Sequence, residues 1–110
     1  MPVLRSISLH CHITEDNTGP DEAYMTFAGN RLFGPESMND DDIRNLEALV
    51  RPIRFRRAIR VELYDQDAGW FDNDDFLGRL EVDANHERGE HTHTFNGDGA
   101  NYDFTYEVLD

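Results

Sequence analysis

The sequence predicts an all-β fold, an antiparallel β-sandwich of about six to eight short strands with one short helix or helical loop near residues 40–50. Stretches of alternating apolar and polar residues recur along the chain, the period-two signature of half-buried strands. Clusters of Gly, Pro, Asn and Asp separate these stretches at short intervals, as they do in sandwiches and barrels. Seven Phe and four Tyr among 110 residues supply core material that a hydrophobic fraction of 38% would not suggest by itself. A chain of this length builds one hydrophobic core, so a single domain over residues 1–110 is expected.

The elements follow in order. Val3, Ile7, Leu9, Cys11 and Ile13 share one parity while Ser6, Ser8, His10 and His12 take the other, which predicts a first strand. It stops in Glu15-Asp16-Asn17-Thr18-Gly19-Pro20-Asp21-Glu22, a run of turn formers and acids. Ala23-Tyr24-Met25-Thr26-Phe27 alternates again, and Gly29-Asn30 suits a tight turn into a return strand at Arg31-Leu32-Phe33. Between Asn39 and Val50 the period changes. Asn39 or Asp40 can cap a helix, Asp41 and Asp42 favour its N-terminus, and Ile43, Leu46, Leu49 and Val50 recur at helical spacing until Pro52 ends the run. Ile53 and Phe55 suggest a brief strand. Ile59, Val61 and Leu63 alternate with Arg60, Glu62 and Tyr64 in the clearest central strand. Phe76-Leu77-Gly78 opens another strand through Leu80 and Val82, and the tail supplies two more, His91–Phe95 and Tyr102–Val108.

Charge narrows the function classes. Twenty-three acidic residues stand against ten Arg and no Lys, giving a net charge of −13. Such a surface repels nucleic acid at long range, so no nucleic-acid partner is expected. Cys11 is the only cysteine, which rules out an internal disulfide, and its place in an alternating strand predicts a buried thiol. No apolar run approaches the roughly 18 residues of a membrane-spanning helix and no export signal is visible, so a soluble domain is expected. The chain lacks a Gly-x-Ser-x-Gly elbow, a Walker loop, a His-Glu-x-x-His helix and a Cys-x-x-Cys pair, and no enzymatic activity is expected.

Asp16 and Asp21 occupy one strand-connecting loop, and Asp65, Asp67, Asp72, Asp74 and Asp75 occupy another. Two carboxylates 4 Å apart repel by about 4 kcal/mol at an effective dielectric near 20, so several brought together need a cation or must protonate. An all-oxygen ligand set suits Ca2+ better than zinc or copper. An EF-hand does not fit, because Gly69, Trp70 and Phe76 fall where that loop needs an oxygen ligand, Gly and Glu.

Two segments carry a family resemblance. Asp16 and Asp21 precede a Tyr-containing strand, Tyr64-Asp65-Gln66-Asp67 opens the later loop, and Asp75-Phe76-Leu77-Gly78 closes it. In this the chain resembles a C2 domain, the calcium-dependent membrane and protein interaction module, over roughly residues 7–30 and 53–83. The resemblance implies a C2-like sandwich and Ca2+ ligation by Asp16, Asp21, Asp65, Asp67 and Asp75. The later loop is about two residues longer than the family pattern, so Asp72 or Asp74 stands as a replacement for Asp75 or an addition to it. A Pro usual beside the first-loop Tyr is absent, and the chain is shorter than a typical member, as a truncated or circularly rearranged relative would be.

Trp70 and Phe71 fall at the expected tip of the later loop, where they either contact a membrane or partner or fold back over the sandwich end. Arg51, Arg54, Arg56, Arg57 and Arg60 put half the positive charge into ten residues, a candidate anionic-ligand patch. His10 with His12 and His91 with His93 read as ordinary surface histidines rather than zinc ligands. The expected function is a calcium-binding module making calcium-dependent or calcium-stabilised contact with a membrane surface or a protein partner. An acidic interaction or inhibitor protein without metal dependence, and a purely structural calcium site, are the alternatives.

Overall fold

Two antiparallel sheets face each other, and side-chain alternation decides what enters the space between them. The computed structural model describes residues 1–15, 19–67 and 74–110. Among these, nine strands form: β1 (Val3–Ile13), β2 (Asp21–Phe27), β3 (Asn30–Met38), β4 (Ile43–Asn45), β5 (Ile53–Arg54), β6 (Ala58–Asp65), β7 (Asp75–Asp83), β8 (Gly89–Phe95) and β9 (Asn101–Leu109). One sheet runs β4-β1-β9-β8 with β5 also paired to β1, and the other runs β3-β2-β6-β7. The protein is thus the all-β sandwich that the sequence predicts. No helix among the described residues is long and apolar enough to cross a membrane.

The core draws on both sheets. Tyr102, Phe104, Tyr106 and Val108 of β9 face Ala23, Met25 and Phe27 of β2 and Val61 and Leu63 of β6, all buried. Burying a large apolar side chain contributes about 1.5 to 3 kcal/mol, so the alternating strands drive association of the sheets. Cys11 is buried with them, as expected, and burial pushes its thiol up to about 11.

The structure corrects three local expectations. In β1 the register shifts between Ser6 and Ser8, and the inward parity shifts with it. Leu4 and Ser6 point inward before the bulge and Leu9 and Cys11 after it, while Ile13 is half exposed. The hairpin between β2 and β3 turns on Ala28 and Gly29, both at positive φ, so Asn30 already belongs to the return strand. Near residues 40–50 the expected short helix or helical loop is reduced to one helical turn at Leu46–Val50, preceded by β4. The exposed edge of β1 takes the backbone groups a helix would have used: the Asp41 N–H donates to the Cys11 carbonyl, the Leu46 N–H to that of Ile7, and β4 pairs from Ser8 to His10. A single i to i+4 bond, Val50 N–H to the Leu46 carbonyl, is what remains of the helical pattern. Leu46 and Val50 enter the core, whereas Ile43 and Leu49 face solvent, so the apolar spacing never served one buried face.

Register fixes which loops meet. Asp21 pairs with Met38, Ala23 with Asp65, Asp65 with Asp75, Ile13 with Asn101 and Phe95 with Tyr102. Four connections, 14–20, 39–42, 66–74 and 96–100, therefore leave the same end of the sandwich. Gly78 secures that end. The β6–β7 ladder is irregular between Leu63 and Tyr64, and a Cβ on Gly78 would lie 2.7 Å from Cδ1 of Phe95. Gly78→Ala is expected to cost about 2 kcal/mol through overpacking, and Gly19→Ala, where a Cβ meets nothing, about 0.5 kcal/mol or less. Urea midpoints of the two variants measure the difference.

Candidate metal centre

Three sets of carboxylates converge at the end where the four loops emerge. Glu15, Asp21 and Asp65 form one group, Asp65, Asp67 and Asp75 a second, and Glu15, Asp75 and Asp98 a third, with ligand oxygens inside each group within 4.8 Å of one another. Shared members join them into a cluster of six residues. Two oxygens on opposite sides of a calcium ion stand about 5 Å apart, given metal–oxygen distances of about 2.3 to 2.6 Å, so this spacing fits one ion per group. Every donor is a hard oxygen, and no His or Cys joins these groups among the described residues.

Local structure holds each side chain. Asp21 opens β2 and is fully buried. Its Oδ2 accepts from the Tyr102 hydroxyl at 2.6 Å and from the Glu15 N–H at 2.9 Å. The first bond spans the two sheets, and the second ties Glu15, two residues beyond β1, to the first residue of β2. Asp65 ends β6, 6% exposed, and accepts from the Glu22 N–H at 2.8 Å. The ladder continues one step further, with the Gln66 N–H donating to the Glu22 carbonyl. Asp98 sits at φ 56 in the turn Gly97–Gly99, which packs against β7 because Gly97 brings no side chain toward the Leu77 carbonyl.

The cluster is electrostatically costly without a cation. Burial, its hydrogen bond to Asp65 and the charges of Asp75, Asp65 and Asp98 push the Glu15 carboxyl up to about 8. Burial also raises Asp65, against the opposing effect of the Glu22 N–H. A carboxyl raised in this way stabilises the fold fully at pH values below its ordinary range, and that contribution is lost as the pH climbs through about 8. A bound divalent ion would take over the role of the proton.

Of the expected ligands, Asp21, Asp65, Asp67 and Asp75 come together. Asp74 belongs to none of the three groups. It accepts from the Tyr24 hydroxyl and from the Asp67 N–H at 3.2 Å, with Arg31 at 4.0 Å. Arg31 also lies 3.7 Å above the Tyr24 ring, and Tyr24 stacks on Tyr64. Asp74 therefore braces the loop from the outer face of the sheet. Asp16 and Asp72, together with Trp70 and Phe71, lie outside the described residues. Glu15, Asp98 and Tyr102 were not anticipated. Glu15 and Asp98 do stand among turn formers, and a tyrosine in a core strand needs a partner for its hydroxyl.

The arginine segment lies at the other end. Arg54 pairs with Val3, and the Ala84 N–H donates to the Arg57 carbonyl, beside the loop that joins β7 to β8. Arg51, Arg54, Arg56, Arg57 and Arg60 are all exposed, and of these only Arg60 meets a carboxylate among the described residues, Glu62 at 3.1 Å. The histidines stay outside the metal groups: the His10 and His12 rings lie 4.0 Å apart, and His12 meets Asp103 at 2.9 Å.

No protein-family model and no curated protein matches the chain. Solved structures do. The chain is similar to a structure of a C2 domain, with TM-score 0.63 and 17% identity over 100% of both chains. It is also similar to human GIVD cytosolic phospholipase A2 in complex with an inhibitor and terbium chloride, with TM-score 0.56 and 15% identity over 98% of this chain and 16% of the phospholipase. A Drosophila C2-DSL-EGF1 structure matches at TM-score 0.51 and 12% identity, over 97% of this chain and 66% of that one. The chain has the C2 fold. It spans 16% of the phospholipase, so nothing of that enzyme's activity follows.

Removing the hydroxyl that bridges the sheets isolates its contribution. Tyr102→Phe is expected to lower stability by about 2 kcal/mol, because a buried carboxylate loses a charge-assisted hydrogen bond. Tyr24→Phe, whose Asp74 partner is 29% exposed, is expected to cost about 1 kcal/mol or less. Equilibrium denaturation of both variants in chelator reads the contrast.

Proposed function

We propose that the chain is a non-catalytic calcium-binding module whose ion site fixes the loops at one end of the sandwich and supports contact with a membrane surface or a protein partner. The observation that carries it is the convergence of Asp21, Asp65, Asp67 and Asp75 with Glu15 and Asp98 on a C2 fold. Asp16, Asp72 and loop-tip contacts by Trp70 and Phe71 complete the proposed site. The acid-only donor set favours a hard divalent ion, and the raised Glu15 marks a place where positive charge is wanted.

Calcium that binds only the folded state stabilises it by about 2.7 kcal/mol at a hundredfold excess over its dissociation constant. Wild-type protein should therefore melt at higher temperature in calcium than in EDTA, and coincident melting curves would end the proposal. Asp67→Asn should weaken calorimetric calcium binding by about tenfold or more. Glu15→Gln, which carries no charge at any pH, should remove the loss of melting temperature in EDTA as the pH rises through about 8, yet shrink the gain from calcium. Sedimentation with phosphatidylserine vesicles then divides membrane contact from a structural ion, since only the former carries the protein into the pellet when calcium is present.

A further inference from the structure

Ten arginines are distributed unequally between partners. Arg5, Arg31, Arg44, Arg60, Arg79 and Arg88 each lie within 4.0 Å of a carboxylate. Arg51, Arg54, Arg56 and Arg57 form no ion pair among the described residues and are all exposed, in a chain with 23 acidic residues to choose from. They are firmly mounted. Phe55 between them is buried, its N–H donates to the Pro2 carbonyl at 3.1 Å, and the Arg57 carbonyl accepts from Ala84 at 2.7 Å. A fixed backbone lowers the ordering cost of using these side chains in an interface.

The opposite end offers their complement. Glu22, Asp40, Asp41 and Asp98 are exposed around the carboxylate cluster, and Glu22, Pro35, Gln66 and Asp67 line a cavity of about 220 Å³, room enough for a guanidinium group. From Leu4, beside β5, to Ile13, beside the acidic loops, β1 covers nine steps, about 30 Å at strand rise. That is several times the screening length of about 8 Å at physiological salt, so the two ends act as separate surfaces, the unpaired arginines sharing theirs with exposed Asp83, Glu87 and Asp110.

We infer that the end carrying Arg51, Arg54, Arg56 and Arg57 docks onto the acidic loop end of a second copy of this chain. Patches at opposite ends make a contact of the head-to-tail type, which grows into open linear chains rather than a closed dimer. Calcium and the arginines share Asp67 and Asp98, so calcium releases the copies. This last point rests on the metal site proposed above, whereas the docking itself does not.

Sedimentation of the 110-residue chain tests it. In EDTA and about 0.1 M salt the average mass should rise with concentration above the 12.7 kDa of one copy, and it should fall back to one copy in about 0.5 M salt. Arg54→Glu/Arg57→Glu, which changes only exposed side chains, should stay a single copy alone and should shorten wild-type chains when mixed in, because its acidic end still accepts a neighbour. A wild-type mass of 12.7 kDa at every concentration in EDTA overturns the docking. So does association that the arginine variant leaves intact. If such a single-copy protein pellets with phosphatidylserine vesicles in EDTA, the arginines serve a lipid surface instead. Association lost in the variant but indifferent to calcium, with no calorimetric calcium binding, would keep the docking and remove the metal site. Calcium binding by a chain that never associates would do the reverse.

Discussion

Pairing between β2 and β6 sets the geometry of the acidic end. Ala23 opposite Asp65, and Glu22 bonded through its own N–H and carbonyl to Asp65 and Gln66, bring the end of one loop beside the start of another more than forty residues later. A one-residue slip in that ladder would turn Asp65 to the other face and swap the buried and exposed sets of both strands. The apolar alternation that fills the core therefore also aligns the carboxylates. Stability and site are specified by one register.

Bringing carboxylates together is unfavourable, and the protein offsets it in three ways. Asp21 and Asp65 are buried and receive N–H or O–H donors, and at Asp65 the donor opposes the rise that burial causes. Glu15, with its carboxyl raised to about 8, holds a proton instead. Asp74 takes a third course, turned toward Tyr24 and Arg31 on the outer face of the sheet. The end is thus divided into acids that converge on one another and an acid that ties Asp67 to the sheet, a division that residue type alone does not reveal.

How much of this was legible in the residues depended on the range of the interactions involved. The strands of β6 and β9 were readable because their alternation is uninterrupted and one face is buried throughout. β1 was misread in its first half because a bulge shifts its parity, and a bulge leaves no mark in composition. The segment from Asn39 to Val50 carries real helical spacing, but the edge of β1 captured its backbone, a tertiary demand invisible from within the segment. Asp21, Asp65, Asp67 and Asp75 were identifiable from turn chemistry and the Tyr-Asp-x-Asp pattern. Glu15 and Asp98 gain their place only through loops that meet in space, and Tyr102 only through a bond to a residue 81 positions away.

The sole thiol has a practical consequence. Cys11 lies in the interior, and its sulfur, held in the neutral form far above the usual thiol range, is a poor nucleophile. A maleimide dye or spin label would therefore couple selectively to a cysteine introduced at either tip of the molecule, with no need to replace the native one. Distances between the cationic and anionic poles of adjacent molecules then become directly measurable in the otherwise natural sequence.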